Sequence, residues 1–276
     1  MKNKLITTLL LLIFLNNSSF ADEVINRNIK TVSTPIINKE DKDSFYSNDG
    51  LKKLLESQFK NDFFQLINFY QPQINPLFCA VAVGVSALNA LEYSEISNNT
   101  ENQIVKNDND IIEYRLHSQQ SFLNDKTDVI KDRQAVLFQK PVSRVKKDNK
   151  WVDVFDPGLT LDELAQVLEK VYNLKVEKYH VSSPNNSEQF AEIVKNIVQD
   201  NKKFIIVNFD GKVLNKTTNG HMALIAAYHQ NLNEILVLDP ALHKNKWFWA
   251  NTKALFNAMN TKDSDQFRGY LIVSKK

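Results

Sequence analysis

Three residues in this chain have the types and the order that covalent acyl transfer needs. Cys79 is the only cysteine. It follows the turn-forming stretch Gln71-Pro72-Gln73-Ile74-Asn75-Pro76 and opens an apolar run. Downstream stand Gly220-His221, and then Asp239 at the end of the strand-like Leu236-Val237-Leu238. A thiol nucleophile needs a base, and the base needs a partner that fixes its tautomer and orientation. Cys79, His221 and Asp239 supply these three roles in turn. The backbone N–H of Cys79 and the side-chain amide of Gln73, six residues earlier, are candidate donors to an oxyanion.

Each residue also has an ordinary structural reading. A lone cysteine at a helix start can be a small core residue, His221 a satisfied strand histidine, Asp239 a strand terminator and Gln73 a loop residue. The elements around them help decide. Cys79 to Leu91 is nearly all small and apolar, so it predicts a buried central helix with the thiol at its N-terminus. A helix N-terminus favours negative charge and so favours the thiolate. Leu51 to Phe69 carries the spacing of one or two amphipathic helices. Residues 94–150 are polar, with the basic run Arg144 to Lys150, and read as a helix-and-loop insertion. Thr160 and Glu163 form a capping-box pattern before a helix that reaches Asn173.

Further strands are predicted over 174–181, 203–209, 221–228, 234–238, 247–249 and 270–274, with helices over 187–200 and 251–259. Helices come first and antiparallel strands cluster late. That order predicts an α+β fold with a helical lobe packed on a sheet lobe.

The chain start reads differently. Basic Lys2 and Lys4, the apolar stretch Leu5 to Leu15 and a Ser-Phe-Ala ending at residue 21 make residues 1–21 a secretory signal peptide. Residues 22–47 read as an extended lead-in and 48–276 as one catalytic domain. The composition, rich in Asn, Lys and Ile, suggests a low-GC bacterial source, so the expected location is the periplasm or the exterior. Removing residues 1–21 removes two lysines and no acid, leaving 32 basic and 32 acidic residues. Neutrality argues for neither a nucleic-acid footprint nor an acidic-lipid surface, and no stable membrane insertion is expected after cleavage. The spacings of His180, His229 and His243 suit no metal site, and no phosphate-binding glycine loop is present.

The motif set resembles the phytochelatin synthase family, a papain-like clan of glutathione γ-glutamylcysteinyltransferases. The resemblance rests on Gln73 through Cys79, on Leu88-Asn89-Ala90-Leu91, on Thr218-Asn219-Gly220-His221 with Asp239 eighteen residues on, and on Ala258-Met259 and Arg268-Gly269-Tyr270. It implies a papain-like fold with Cys79 as nucleophile, His221 as base and acid, Asp239 as orienter and Gln73 as oxyanion donor. It also implies that Gly220, Asp263 and Arg268 bind substrate.

By the same resemblance the substrate is glutathione or a related γ-glutamyl peptide. The Cys–Gly bond is cleaved to release glycine and γ-glutamylcysteine, with transfer to a second glutathione giving short phytochelatins. No cofactor is required; cadmium or zinc enters as a metal–thiolate form of the substrate. A homodimer is compatible with this reading. Ala80, Ala223, Leu224 and Leu242 depart from the family pattern. They keep open a papain-like peptidase or deamidase acting on another peptide, and a non-catalytic binder of thiol peptides.

Overall fold

The computed structural model describes residues 43–93, 103–106, 111–114, 116–263 and 265–276. The predicted signal peptide (1–21) and the lead-in up to residue 42 lie outside the described residues. Among the described residues, no helix is long and apolar enough to cross a membrane.

Two short helices come first, α1 (Asn48–Glu56) and α2 (Asn61–Leu66). The Ser47 side chain caps α1 by accepting from the Gly50 N–H. The long helix α3 (Cys79–Tyr93) is the centre of the molecule, and Ala80 to Leu91 are buried without interruption. Small residues make this burial feasible because neighbours can approach the helix axis. A Cβ on Gly84 would lie 2.8 Å from the Phe122 ring. Ser86 Oγ donates to the Ala82 carbonyl and accepts from the Gln71 N–H at 3.1 Å. That contact ties the loop before the nucleophile to its own helix.

The predicted insertion differs from its sequence reading. Its described residues form two pairs of antiparallel strands and two short helices rather than helices and loops alone. These are β1 (Gln103–Lys106) with β2 (Ile111–Tyr114), then α4 (Gln119–Phe122), α5 (Arg133–Phe138), and β3 (Pro141–Lys147) with β4 (Lys150–Phe155). The basic run is a strand and a turn. Asp148 and Asn149 both take positive φ, 49° and 61°, the geometry of a tight two-residue hairpin turn.

Helix α6 (Leu161–Gln166) begins with the predicted capping box, in which Thr160 and Glu163 satisfy each other's backbone N–H. It continues as a π-helical turn, Val167–Val171. Then follow β5 (Leu174–His180), α7 (Ser187–Ile197), β6 (Lys203–Asp210), β7 (Gly220–His229), β8 (Glu234–Leu238), β9 (Phe248–Asn251), α8 (Thr252–Met259), the two-residue strands β10 (Lys262–Asp263) and β11 (Gln266–Phe267), and β12 (Gly269–Lys275).

One antiparallel sheet of six strands, in the order β5-β12-β6-β7-β8-β9, organises the rest. The fold is therefore α+β, with an antiparallel sheet and several helices. The sheet is not the open partner of one helical lobe. Alternate residues on β6 and β7, such as Ile206 and Leu224, pack in the core built around α3. Their neighbours Ile205, Val207 and Ile225 pack with Phe190 of α7 and Phe256 of α8. Burial on both faces explains why β6 and β7 are apolar without alternation.

Candidate active site

The site forms where the N-terminus of α3 meets the start of β7 and the loop after β8. Two hydrogen bonds bring these pieces together. The Tyr70 hydroxyl donates to the Asp239 carbonyl at 2.7 Å, and the Gln73 N–H donates to the Pro240 carbonyl at 2.9 Å. The Tyr70 ring also packs edge-on against Trp247, with centroids 4.9 Å apart. The loop that delivers Cys79 is thus bonded to the loop that delivers Asp239.

His221 is buried, and its Nε2 lies 2.6 Å from Asp239 Oδ1. The Cys79 thiol hydrogen-bonds the same ring, which leaves Nδ1 for sulfur. Asp239 has no exposed surface, so its carboxylate needs compensation inside the protein. The Ala241 N–H donates to Oδ1 at 2.8 Å and Asn245 Nδ2 to Oδ2 at 3.0 Å. Asn245 is itself fixed, since it donates to Thr218 Oγ1 and accepts from Thr217. Phe209 faces the His221 ring edge-on.

The electrostatics favour charge separation. Burial raises the Cys79 pKa, but the His221 hydrogen bond, the imidazolium charge and the N–H groups of Met222 and Ala80 outweigh it. The thiol is held below its ordinary value. Burial pushes the other way on His221 and lowers its pKa. The hydrogen bonds to Asp239 and Cys79, with their charges, reverse that and lift His221 to about 10. A thiolate–imidazolium pair is the form expected at neutral pH. Cys79 as a residue is only partly buried. This arrangement has what thioester formation requires: an ionised nucleophile, a proton donor for the leaving group and a carboxylate that holds the ring.

The other predicted residues gather in a second cluster. Arg268 is buried, and its Nη2 lies 3.5 Å from Asp263 Oδ1. Its Nη1 donates to Thr261 Oγ1 at 3.2 Å and to the Lys262 carbonyl. A Cβ on Gly220 would stand 2.7 Å from Arg268 Nη2, so a side chain there would displace the end of the guanidinium. Asp263 accepts from Asn208 Nδ2 at 3.4 Å. Asn208 and Asp263 line a cavity of about 270 Å³ together with Asp162, His180, Asp265 and Phe267. Two polar atoms in this cluster, Asn208 Oδ1 and Arg268 Nε, are buried without a protein partner. Asn208 pairs with Met222, the residue after His221, so this cluster and the imidazole lie on the adjoining strands β6 and β7.

Gln73 is placed differently from the sequence expectation. Its Nε2 donates to the carbonyls of Asn75 and Pro76, at 2.9 and 3.1 Å. Both amide hydrogens are committed within the loop, and the group must turn before it can serve an oxyanion. Sequence reasoning assigns no role to Tyr70, Asn208 or Asn245. Asn245 gave no signal, since a polar residue in a turn six positions after Asp239 looks like any surface asparagine. Asn208 gave a faint one, as a lone amide inside an otherwise apolar strand.

Among the described residues, no group of three or more histidine, cysteine, aspartate or glutamate side chains is arranged to hold a metal.

The fold and the site define a candidate thiol acyl-transfer centre on an antiparallel α+β scaffold. The phytochelatin synthase family model matches residues 37–270, most of the chain, and the chain belongs to that family. It is similar to glutathione gamma-glutamylcysteinyltransferase 3 of Lotus japonicus, with 24% identity over 84% of this chain and 42% of the relative. It is also similar to glutathione gamma-glutamylcysteinyltransferase 2 of Arabidopsis thaliana, with 24% identity over 89% of this chain and 46% of the relative. The glutathione gamma-glutamylcysteinyltransferase of Schizosaccharomyces pombe is 28% identical over 44% of this chain and 29% of the relative. The chain spans less than half the length of these curated relatives.

Proposed function

We propose that this chain is a papain-like cysteine enzyme acting on glutathione. The observation that carries the reading is the buried His221–Asp239 pair hydrogen-bonded to the Cys79 thiol at a helix N-terminus. The relatives are named for γ-glutamylcysteine transfer from glutathione, and that chemistry fits the two clusters.

In the first half-reaction the Cys79 thiolate attacks the carbonyl carbon of the Cys–Gly peptide bond. The bond's electron pair leaves with nitrogen, and the imidazolium of His221 gives that nitrogen its proton, so free glycine departs. A γ-glutamylcysteinyl thioester remains on Cys79. Neutral His221 then takes a proton from water, whose oxygen attacks the thioester and frees γ-glutamylcysteine. The amine of a second glutathione in place of water gives a short phytochelatin. The tetrahedral intermediate takes a hydrogen bond from the Cys79 N–H, one of the unpaired donors of the first helical turn. Gln73 adds a second if its amide turns out of the loop. Asp263 and Arg268 hold the charged ends of the γ-glutamyl group, and Gly220 leaves room for Arg268. No cofactor is required, and cadmium or zinc acts only as a thiolate complex of the substrate. Export, with loss of residues 1–21, is part of the proposal.

The test is to incubate the protein with glutathione and measure glycine and γ-glutamylcysteine. Release of both by the wild type, and of neither by Cys79→Ala, supports the proposal. An unchanged Cys79→Ala overturns it. Cleavage of other peptides with glutathione untouched favours the peptidase or deamidase reading.

A further inference from the structure

The β3–β4 hairpin takes no part in either cluster. Every residue in it is exposed except Val154, which is half-buried. Its outward side chains are unusual for a water-facing surface. Trp151 is 64% exposed, Val142 52% and Phe155 51%, and Phe138 at its base is 62% exposed. An isolated two-stranded ribbon is marginal in water, and soluble proteins seldom group large apolar side chains on open surface. Both facts call for something that covers this ribbon.

The charge says what. Between residues 138 and 155, Lys140, Arg144, Lys146, Lys147 and Lys150 face only Asp148 and Asp153. The local charge is +3, against +2 for the whole chain. Arg144 is already paired with Asp153 at 2.7 Å, so the lysines carry the excess. Pairing across the ribbon puts Lys146 beside Trp151 on one face, and Val145 beside Val152 on the other. Aromatic and aliphatic groups interleaved with lysines match the boundary of a bilayer. There tryptophan sits at the headgroup level and lysine stems lie along apolar surface with their ammonium groups in water. A second copy of the hairpin would set +3 against +3.

We propose that the β3–β4 hairpin docks this protein on anionic lipid bilayer surfaces. Charge attraction brings it to the surface, and Trp151 and Phe155 enter the headgroup region.

The test uses the full chain and reads Trp151 itself, because Leu5 to Leu15 is also apolar and would contribute to bulk partition. The Trp151 signal is the difference in emission between the wild type and Trp151→Phe. With phosphatidylglycerol-containing vesicles at low salt, it is expected to shift blue and lose access to an aqueous quencher. Pure phosphatidylcholine vesicles or high salt should abolish the shift. The triple variant Lys146→Glu, Lys147→Glu, Lys150→Glu should weaken the apparent affinity by at least about tenfold. Its thermal melt and its glycine release from glutathione should be unchanged, which separates loss of docking from loss of folding. The proposal is overturned by a Trp151 signal indifferent to anionic vesicles. Equal binding by the triple variant, a shift that follows protein concentration without lipid, or a shift produced by nucleic acid alone would overturn it as well.

Discussion

His221 Nε2 and Asp239 Oδ1 lie 2.6 Å apart, with both side chains buried and eighteen positions between them in sequence. Neither residue alone tolerates that burial well. Together with Cys79 they form a hydrogen-bonded set in which the thiolate and the imidazolium each stabilise the other's ionised form. The pH behaviour of the site follows from this pair.

The Cys79 thiolate is the species present above its lowered pKa, and the imidazolium of His221 persists up to about 10. Alkylation of Cys79 by iodoacetamide should therefore stay fast well below the ordinary thiol value of about 8.5. His221→Ala should move the midpoint upward, towards or beyond that value, since burial alone raises it. Turnover should fall on the acid side as sulfur is protonated and on the alkaline side as His221 loses its proton near 10. A wild-type midpoint already near 8.5 would contradict the ion pair.

Asn245 is a positioning residue that acts through Asp239. Removing a hydrogen bond to a buried carboxylate costs roughly 1.5–3 kcal/mol. Asn245→Ala should accordingly lower kcat/KM for glutathione by about 10- to 100-fold. The loss should fall on kcat, and the alkaline limb of the pH profile should move to lower pH as the support behind His221 weakens. A purely structural role would lower the melting temperature and leave that limb in place.

Gly220 keeps space for Arg268, because a Cβ would stand 2.7 Å from its guanidinium. Gly220→Ala should push Arg268 from its hydrogen bonds with Thr261 and Lys262 and raise the KM for glutathione by about tenfold or more. The effect on kcat should be smaller. Steady-state kinetics with glutathione checks the split, and an unchanged KM would remove Arg268 from the substrate site.

Asp62 is buried in α2. Burial lifts its pKa to about 8, the nearby Asp200 adds to the rise, and a backbone hydrogen bond from Asn201 opposes it. A raised folded-state pKa stabilises the fold fully below the unfolded value near 4, and that contribution is lost as pH rises through about 8. Asp62→Asn should match the wild-type melting temperature near pH 4 and exceed it by several degrees at pH 8. Thermal melts across that range decide it.

What the sequence revealed depended on how local the signal was. The Cys79 helix was legible because small apolar residues fill its whole circumference, and the Thr160–Glu163 cap because both partners lie within one turn. The pairing of β7 with β8 was legible because a short polar turn joins two apolar runs. The β3–β4 hairpin was not, since its exposed strands mix lysine with valine and show no apolar face. Burial of the sheet on both faces was hidden too, because nothing in the sequences of α7 and α8 marks which face of the sheet they cover. At the site, the residue types and order of Cys79, His221 and Asp239 pointed to one centre. Asn245 and Tyr70 act through contacts made only when two distant loops meet, and no spacing rule reports such contacts.

The central claim is that Cys79 carries the acyl group. The most direct measurement is intact and peptide mass spectrometry of the protein quenched in acid during turnover of glutathione. One γ-glutamylcysteinyl group is expected on Cys79, with glycine in solution in matching initial amount, and neither in Cys79→Ala. Glycine released at the wild-type rate by Cys79→Ala, or an acyl group on any other residue, would contradict it.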